Sequence, residues 1–231
     1  MATGAPIVTN TGILHTMTTD PKLLTLIHWL SPSYPIGSFA WSHGIEAAIA
    51  RGWIEDDQSL KEWLTDLVRQ GSFRNDAILI SLAYNTTDLA AVRELNVNAR
   101  ALAPARERIK EAERQGAAFA KTTREVWKLN LPDLMLPVAL GYAARMQKLD
   151  EPSLIAIYAQ SVLSNLILAA QRLMALGQTS AQTILAELTP LCAQLSQDVA
   201  QSDFDDIYSN CFLSDVASMV HEIQQPRLFQ S

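Results

Sequence analysis

The sequence predicts an all-α fold: a single-domain helical bundle of about eight to ten helices, with no significant β-sheet. Three observations carry this. Apolar residues recur at i, i+3, i+4 and i+7 spacing, acids, serines and prolines stand where those runs begin, and β-branched residues nowhere alternate as a half-buried strand requires. Hydrophobic residues make up 48 % of the 231-residue chain and charged residues 18 %. That is ample apolar material for one core and excludes disorder as a description of the whole.

Residues 1–19 carry Thr and Gly, show no periodicity and lack a basic stretch followed by an apolar run. They read as a mobile N-terminal tail and not as a signal peptide. From Asp20 to residue 225 the helical domain follows. Asp20-Pro21 opens the first helix, with Leu23, Leu24, Ile27 and Leu30 expected on its buried face, His28 beside them and Pro32 as the stop. Two prolines and a glycine then forbid helix through Pro32–Gly37. Ser38 is expected to cap a helix with an apolar stripe of Trp41, Ile45, Ala48 and Ile49 and a polar stripe of Ser38, Ser42 and Glu46, close to His43. A rigid loop feeding such a helix suits a docking surface or a channel lining, and equally a helix corner with a solvated face.

Ser59-x-x-Glu62 reads as a capping box for a helix with Leu60, Trp63, Leu64 and Leu67 inward. Gly71 interrupts it, and Asp76–Tyr84 continues helical. Thr86-Thr87-Asp88 starts another helix, which reaches about Leu102. Pro104 opens the most regular one, with Ile109, Ala112, Gly116, Phe119, Ala120, Thr123, Val126 and Trp127 on one stripe; Arg106, Arg108, Glu111, Glu113 and Arg114 are expected on a solvated face. Ala112, Gly116 and Ala120 allow a close approach, either inside the chain or across a dimer. Val138–Lys148 is helical, with Gly141-Tyr142 as a tight-packing point.

Glu151-Pro152-Ser153 caps a run to Leu176 that is apolar nearly all round. Its Gln160, Ser161, Ser164, Asn165, Gln171 and Arg172 favour an enclosed core helix over a membrane span. Gly177 is expected to end it as a C′ residue, and the following helix to kink or break at Pro190. Asp203, Asp205 and Asp206 lie in an acidic stretch without the spacing of a calcium loop. Ser214 is expected to cap a short helix with Val216, Met219, Val220 and Ile223 inward and His221 and Glu222 outward or at an edge. Residues 226–231 then form a tail suited to docking a partner, because an apolar pair, Leu228-Phe229, sits beside Arg227, and equally able to fold back onto its own core.

The chemistry of most enzyme classes has no parts here. There is no phosphate-binding loop, nucleophile elbow, zinc-protease motif or dinucleotide fingerprint, and only four histidines. A net charge of −6 argues against nucleic-acid or anionic-membrane surfaces. The two cysteines, Cys192 and Cys211, make neither a disulfide framework nor a zinc site. His43, Cys211 and His221 are weak metal candidates, too scattered to define a coordination sphere. What remains is interaction with other molecules.

Pro35-x-Gly37-Ser38-Phe39-x-x-Ser42-x-Gly44-Ile45-Glu46, followed by Gly52-Trp53, resembles the urease accessory proteins of the UreF family. Gly177-Gln178, His221-Glu222 and Arg227-Leu228-Phe229 with Ser231 follow in that family's order, so the resemblance spans roughly residues 21–231. It implies an all-helical, dimeric, cytoplasmic, non-catalytic protein that bridges a UreD/UreH-type partner and the UreG GTPase. Through that complex nickel reaches apo-urease, as a delivered ion and not a tightly bound cofactor. It implies partner or passage roles for Pro35, Gly37, Ser38, Phe39, Ser42, Gly44 and Glu46, and tail docking for His221, Glu222, Arg227, Leu228, Phe229 and Ser231. An alternative role is regulation of the UreG GTPase cycle. Ile45, His43 and Gln230 depart from the family's usual leucine, glutamine and basic residue, and the last puts a salt-bridged docking of the tail in doubt.

Overall fold

The structure, a computed structural model, describes residues 19–230. The mobile-tail expectation for 1–19 (all but Thr19) and the docking role of Ser231 fall outside that range. Among the described residues there are ten α-helices and no strands: α1 (Pro21–Trp29), α2 (Ile45–Ala50), α3 (Asp57–Gln70), α4 (Ser72–Asn85), α5 (Leu89–Leu102), α6 (Arg106–Trp127), α7 (Leu136–Met146), α8 (Glu151–Leu173), α9 (Gln178–Asp198) and α10 (Phe212–His221). They form one helical domain.

Helix α8 runs through the middle, touching α1, α2, α4, α7 and α9. Its composition would let it cross a membrane, yet half of its most apolar window is buried within this fold. The closest partnerships are α4 with α7 and α8 with α9. Two glycines admit backbone where a side chain would stand. A Cβ on Gly141 would lie 2.1 Å from the Ile80 carbonyl oxygen of α4, and one on Gly116 would lie 1.9 Å from the Leu134 carbonyl oxygen. The close approach at Gly116 is therefore internal, made by the 131–135 connection. Trp29, Tyr34, Phe119 and Trp127 stack around one another, Trp29 edge-on to Phe119 at 5.2 Å, and His28 lies 5.5–5.7 Å from Trp127 and Tyr34.

Several local expectations are overturned. Ser38 caps no α-helix: residues 38–40 make a single 3₁₀ turn, and α2 starts only at Ile45, behind Gly44 at φ +82°. Gly37 is also left-handed, at φ +71°, so the chain turns twice where a helix would have run straight. The capping box of α3 is Asp56 with Ser59, one turn earlier than expected. Gly177 is extended and precedes α9 instead of closing α8. Helix α9 passes Pro190 unbroken, because Pro190 and the Ala186 carbonyl it leaves free are both on the solvent side.

Two helices are rotated from their expected register, and a third buries more than its expected stripe. Helix α1 buries Leu26 and Trp29 and leaves Leu23, Leu24 and Ile27 exposed. Helix α6 keeps Gly116, Phe119, Ala120 and Thr123 of its stripe inside and exposes only Val126 of it, but also buries Glu107, Arg108, Glu111 and Gln115, expected on a solvated face or not singled out. Helix α10 buries Ser214, Ala217, Ser218 and His221, and turns Phe212, Leu213, Met219 and Ile223 to solvent. In α6 and α10 the core takes side chains whose polar groups find partners on another element, as Glu107 and His221 do on each other. Helix α1 instead turns Trp29, its largest side chain, inward against Phe119 and Trp127. In α1 and α10 apolar residues are left for the surface.

Candidate functional site

The double turn at Gly37 and Gly44 brings α2 under α10. A Cβ on Gly44 would lie 2.9 Å from the Ser218 backbone nitrogen, so only glycine lets the two helices close. This approach buries Ser42, His43, Gly44 and Glu46; Pro35 and Phe39 stay exposed and Gly37 and Ser38 half-buried.

Glu46 is the hub. Its carboxylate accepts the Leu228 N–H at 2.6 Å and the Phe229 N–H at 2.9 Å, and lies 3.1 Å from His221 Nε2. The other ring nitrogen, Nδ1, is 2.7 Å from Glu107 of α6, which also accepts from Arg227 at 2.6 Å. Three stretches distant in sequence, around Glu46, Glu107 and 221–229, thus meet in one clasp through two carboxylates, one imidazole and one guanidinium, with His221 wholly enclosed. The expectation of His221 outward or at an edge is corrected: both of its ring nitrogens have polar partners only in the interior. Glu222 beside it is half-buried and accepts the Arg106 N–H at 2.7 Å, supplying the cap that α6 lacks from its own sequence.

The segment beyond Pro226 lies on its own domain. Phe229 is 4 % exposed, covered by the Arg172 guanidinium 4.6 Å from its ring centre, whereas Leu228 is half-exposed. The Gln230 N–H donates to the Ala40 carbonyl at 2.8 Å, and its side chain accepts from Arg114 at 2.9 Å. The departure at Gln230 is thus accommodated by a neutral acceptor facing an arginine. The expected apolar pair is split, Phe229 serving as anchor and Leu228 remaining on the surface.

A second polar cluster lies behind α2. His43 Nε2 is 2.8 Å from Ser72 Oγ, and its ring stands edge-on to Phe73. Burial, aided by Arg108, holds its pKa well below the ordinary histidine value, so the ring is neutral and its 3.9 Å approach to Glu111 is not an ion pair. Arg108 pairs with Glu111, which also accepts from Gln115 at 3.2 Å. Asp76 accepts from Tyr158 at 2.7 Å, and burial pushes its carboxyl up to about 6 against the pull of Arg108. The same burial, with Asp76 alongside, raises the Tyr158 phenol well above 10. Sequence reasoning missed Glu107, Arg108, Glu111, Asp76 and Tyr158, because nothing in their spacing separates them from a solvated face.

The Asp76 carboxyl yields a prediction. Its pKa lies above the unfolded value, so the folded state keeps its proton longer, and stability falls as pH rises from about 4 to about 6. Asp76→Asn retains an acceptor for Tyr158 and removes that loss. It should raise the free energy of unfolding at pH 8 by about 2 kcal/mol, allowing for the partial exposure of Asp76, and leave it unchanged near pH 3.5. Urea melts at the two pH values check this; equal effects at both would refute it.

Neither cluster gathers a coordination sphere. Among the described residues, no group of three or more His, Cys, Asp and Glu is placed to hold a metal ion. Cys211 is buried with its thiol 3.1 Å from the Asp66 carbonyl, and burial pushes it up to about 11, far from a reactive thiolate.

Helix α10 and the residues that follow it leave large apolar side chains on the surface. Phe212 and Ile223 are 77 % and 82 % exposed, and Leu213, Met219 and Leu228 are about half-exposed. A second bare face joins Leu23, Leu24 and Ile27 of α1 to Phe39 and to Leu168 of α8. It borders a groove of about 590 Å³ floored by Ser161, Ser164 and Asn165.

Comparison with known proteins fits this architecture. The UreF family model matches residues 54–189. The chain is 43 % identical over 209 residues to a "Urease accessory protein UreF" of Cereibacter sphaeroides, covering 90 % of this chain and 98 % of that one. Proteins of the same name from Ruegeria pomeroyi and Methylobacterium radiotolerans are 37 % and 38 % identical, covering 92 % and 91 % of this chain and 98 % and 97 % of theirs. With more than half its length matched by the family model and near-complete relatives at these identities, the chain belongs to the UreF family of urease accessory proteins.

Proposed function

We propose that this protein is a non-catalytic scaffold in urease maturation, which holds a UreD/UreH-type partner and the UreG GTPase together while nickel passes to apo-urease. The observation that carries this reading is the inverted helix α10, which spends its polar face on the interior and offers Phe212, Leu213, Met219 and Ile223 to solvent, while Leu228 of the terminal segment is also half-exposed. An exposed apolar helix face next to an ordered terminal segment is the composition of an interface centre, and it suits the UreD/UreH-type partner. The α1 face with Phe39 and Leu168 suits a second copy, giving a homodimer. The enclosed polar residues Ser42, His43, Glu111 and Gln115, with half-buried Asn165, favour a passage for the ion over a resting site, because each already has a hydrogen-bond partner within the protein.

The test is co-purification with the UreD/UreH-type partner and with UreG, each alone and both together. Met219→Asp/Ile223→Asp alters only exposed side chains. It should weaken capture of the UreD/UreH-type partner at least tenfold, with the circular dichroism spectrum unchanged; removing residues 226–231 should abolish it. Full capture by both variants would end the docking reading.

A further inference from the structure

We propose that His221 makes the seating of the 226–230 segment dependent on a bound proton. A neutral imidazole has one donor and one acceptor nitrogen, but His221 faces carboxylate oxygens on both sides, at 3.1 Å from Glu46 and 2.7 Å from Glu107. Two carboxylates cannot both accept from a neutral ring. The pair of contacts therefore needs one proton more than two ionised glutamates and a neutral histidine carry between them. With that proton the group of Glu46, Glu107, His221 and Arg227 sums to zero charge; without it a net negative charge is enclosed, which is unfavourable.

The groups facing His221 from each packed element are few. They are Glu46 on α2, Glu107 on α6 and Arg227 on the terminal segment; Glu222, next on α10, turns away to Arg106 at the start of α6. Arg108 and Glu111 are engaged with each other farther along α6. Glu46 and Glu107 are also the acceptors for the Leu228 and Phe229 amides and for Arg227. Whatever displaces the two carboxylates thus loosens the segment. Docking takes up a proton, so by linkage it weakens as the pH rises. The proposal concerns the free chain and does not rest on any partner.

The experiment is amide hydrogen exchange of the free protein between pH 5.5 and 9, corrected for intrinsic rates, with ¹⁵N shifts of the His221 ring followed in parallel. Protection of Leu228 and Phe229 should fall as pH rises, by tenfold or more over the range and in step with the ring, while amides in the middle of α8 stay constant. His221→Gln, which cannot carry the extra proton, should show pH-independent exchange at the two amides. Unchanged protection of Leu228 and Phe229 across the range in the wild-type chain would overturn the proposal. So would a ring titration that leaves the two amides unmoved.

Discussion

Glu46→Ala should lower the free energy of unfolding by about 3 kcal/mol, the scale for removing one member of a buried charged pair while leaving the others enclosed. The substitution takes away the acceptor of two backbone amides and one of the two carboxylates around His221. It leaves His221 and the Leu228 and Phe229 N–H groups facing an apolar gap, each a desolvated donor without a partner. Glu46→Gln keeps one acceptor oxygen and should fall between. Urea melts of the three proteins, with proteolysis by trypsin after Arg227, read both consequences: a weaker domain and a freed terminal segment. A loss below about 1 kcal/mol for the alanine variant would mean that Glu46 is solvated and the clasp adds nothing.

Gly116→Ala and Gly141→Ala should each cost about 3 kcal/mol or prevent folding altogether. Alanine is usually the better helix residue, by about 1 kcal/mol, so propensity alone has the opposite sign. Packing decides, because the added methyl would meet carbonyl oxygens at 1.9 and 2.1 Å, and these belong to backbone and cannot rotate away. The 131–135 connection would have to lift off α6 in one case, and α4 would have to part from α7 in the other. Gly177→Ala is the matched control: its backbone is ordinary and no atom lies within 4 Å of the added carbon. It should change stability by less than about 0.5 kcal/mol. Thermal melts of the three variants suffice, and a mild effect at Gly141 would show that α4 and α7 can slide.

The helical class was legible because periodicity and caps are local signals: Asp20 caps α1 where the sequence places it, Asp88 belongs to the start read for α5, and the cap of α8 is Asp150, one residue before the Glu151–Ser153 stretch read as capping it. Of the two readings the sequence leaves open for the terminal segment, the structure has the fold-back, with Arg227 on Glu107 and the Leu228 and Phe229 amides on Glu46; which residues would receive it was not legible. Facing was the weak point. The rule that apolar stripes point inward fails in α1 and α10, where a helix carries two usable faces and the choice depends on what the neighbour offers; in α6 it holds but misses the charged residues buried beside the stripe. His221 is inside because Glu46 and Glu107 wait for it, and those residues stand 175 and 114 positions away. Single-sequence patterns hold no record of such pairings. Likewise Ser38 looks like a cap until Gly37 and Gly44 take left-handed turns, which a sequence permits without requiring.

The 182- and 183-residue separations between Glu46 and the two amides it receives have a consequence for synthesis. A ribosome delivers α2 early, and the groups that satisfy its carboxylate emerge 175 to 183 residues later. Until then a nascent chain must keep that corner wet, so its closure waits on residues 221–229. Prematurely terminated products are thereby left open and visible to proteolysis.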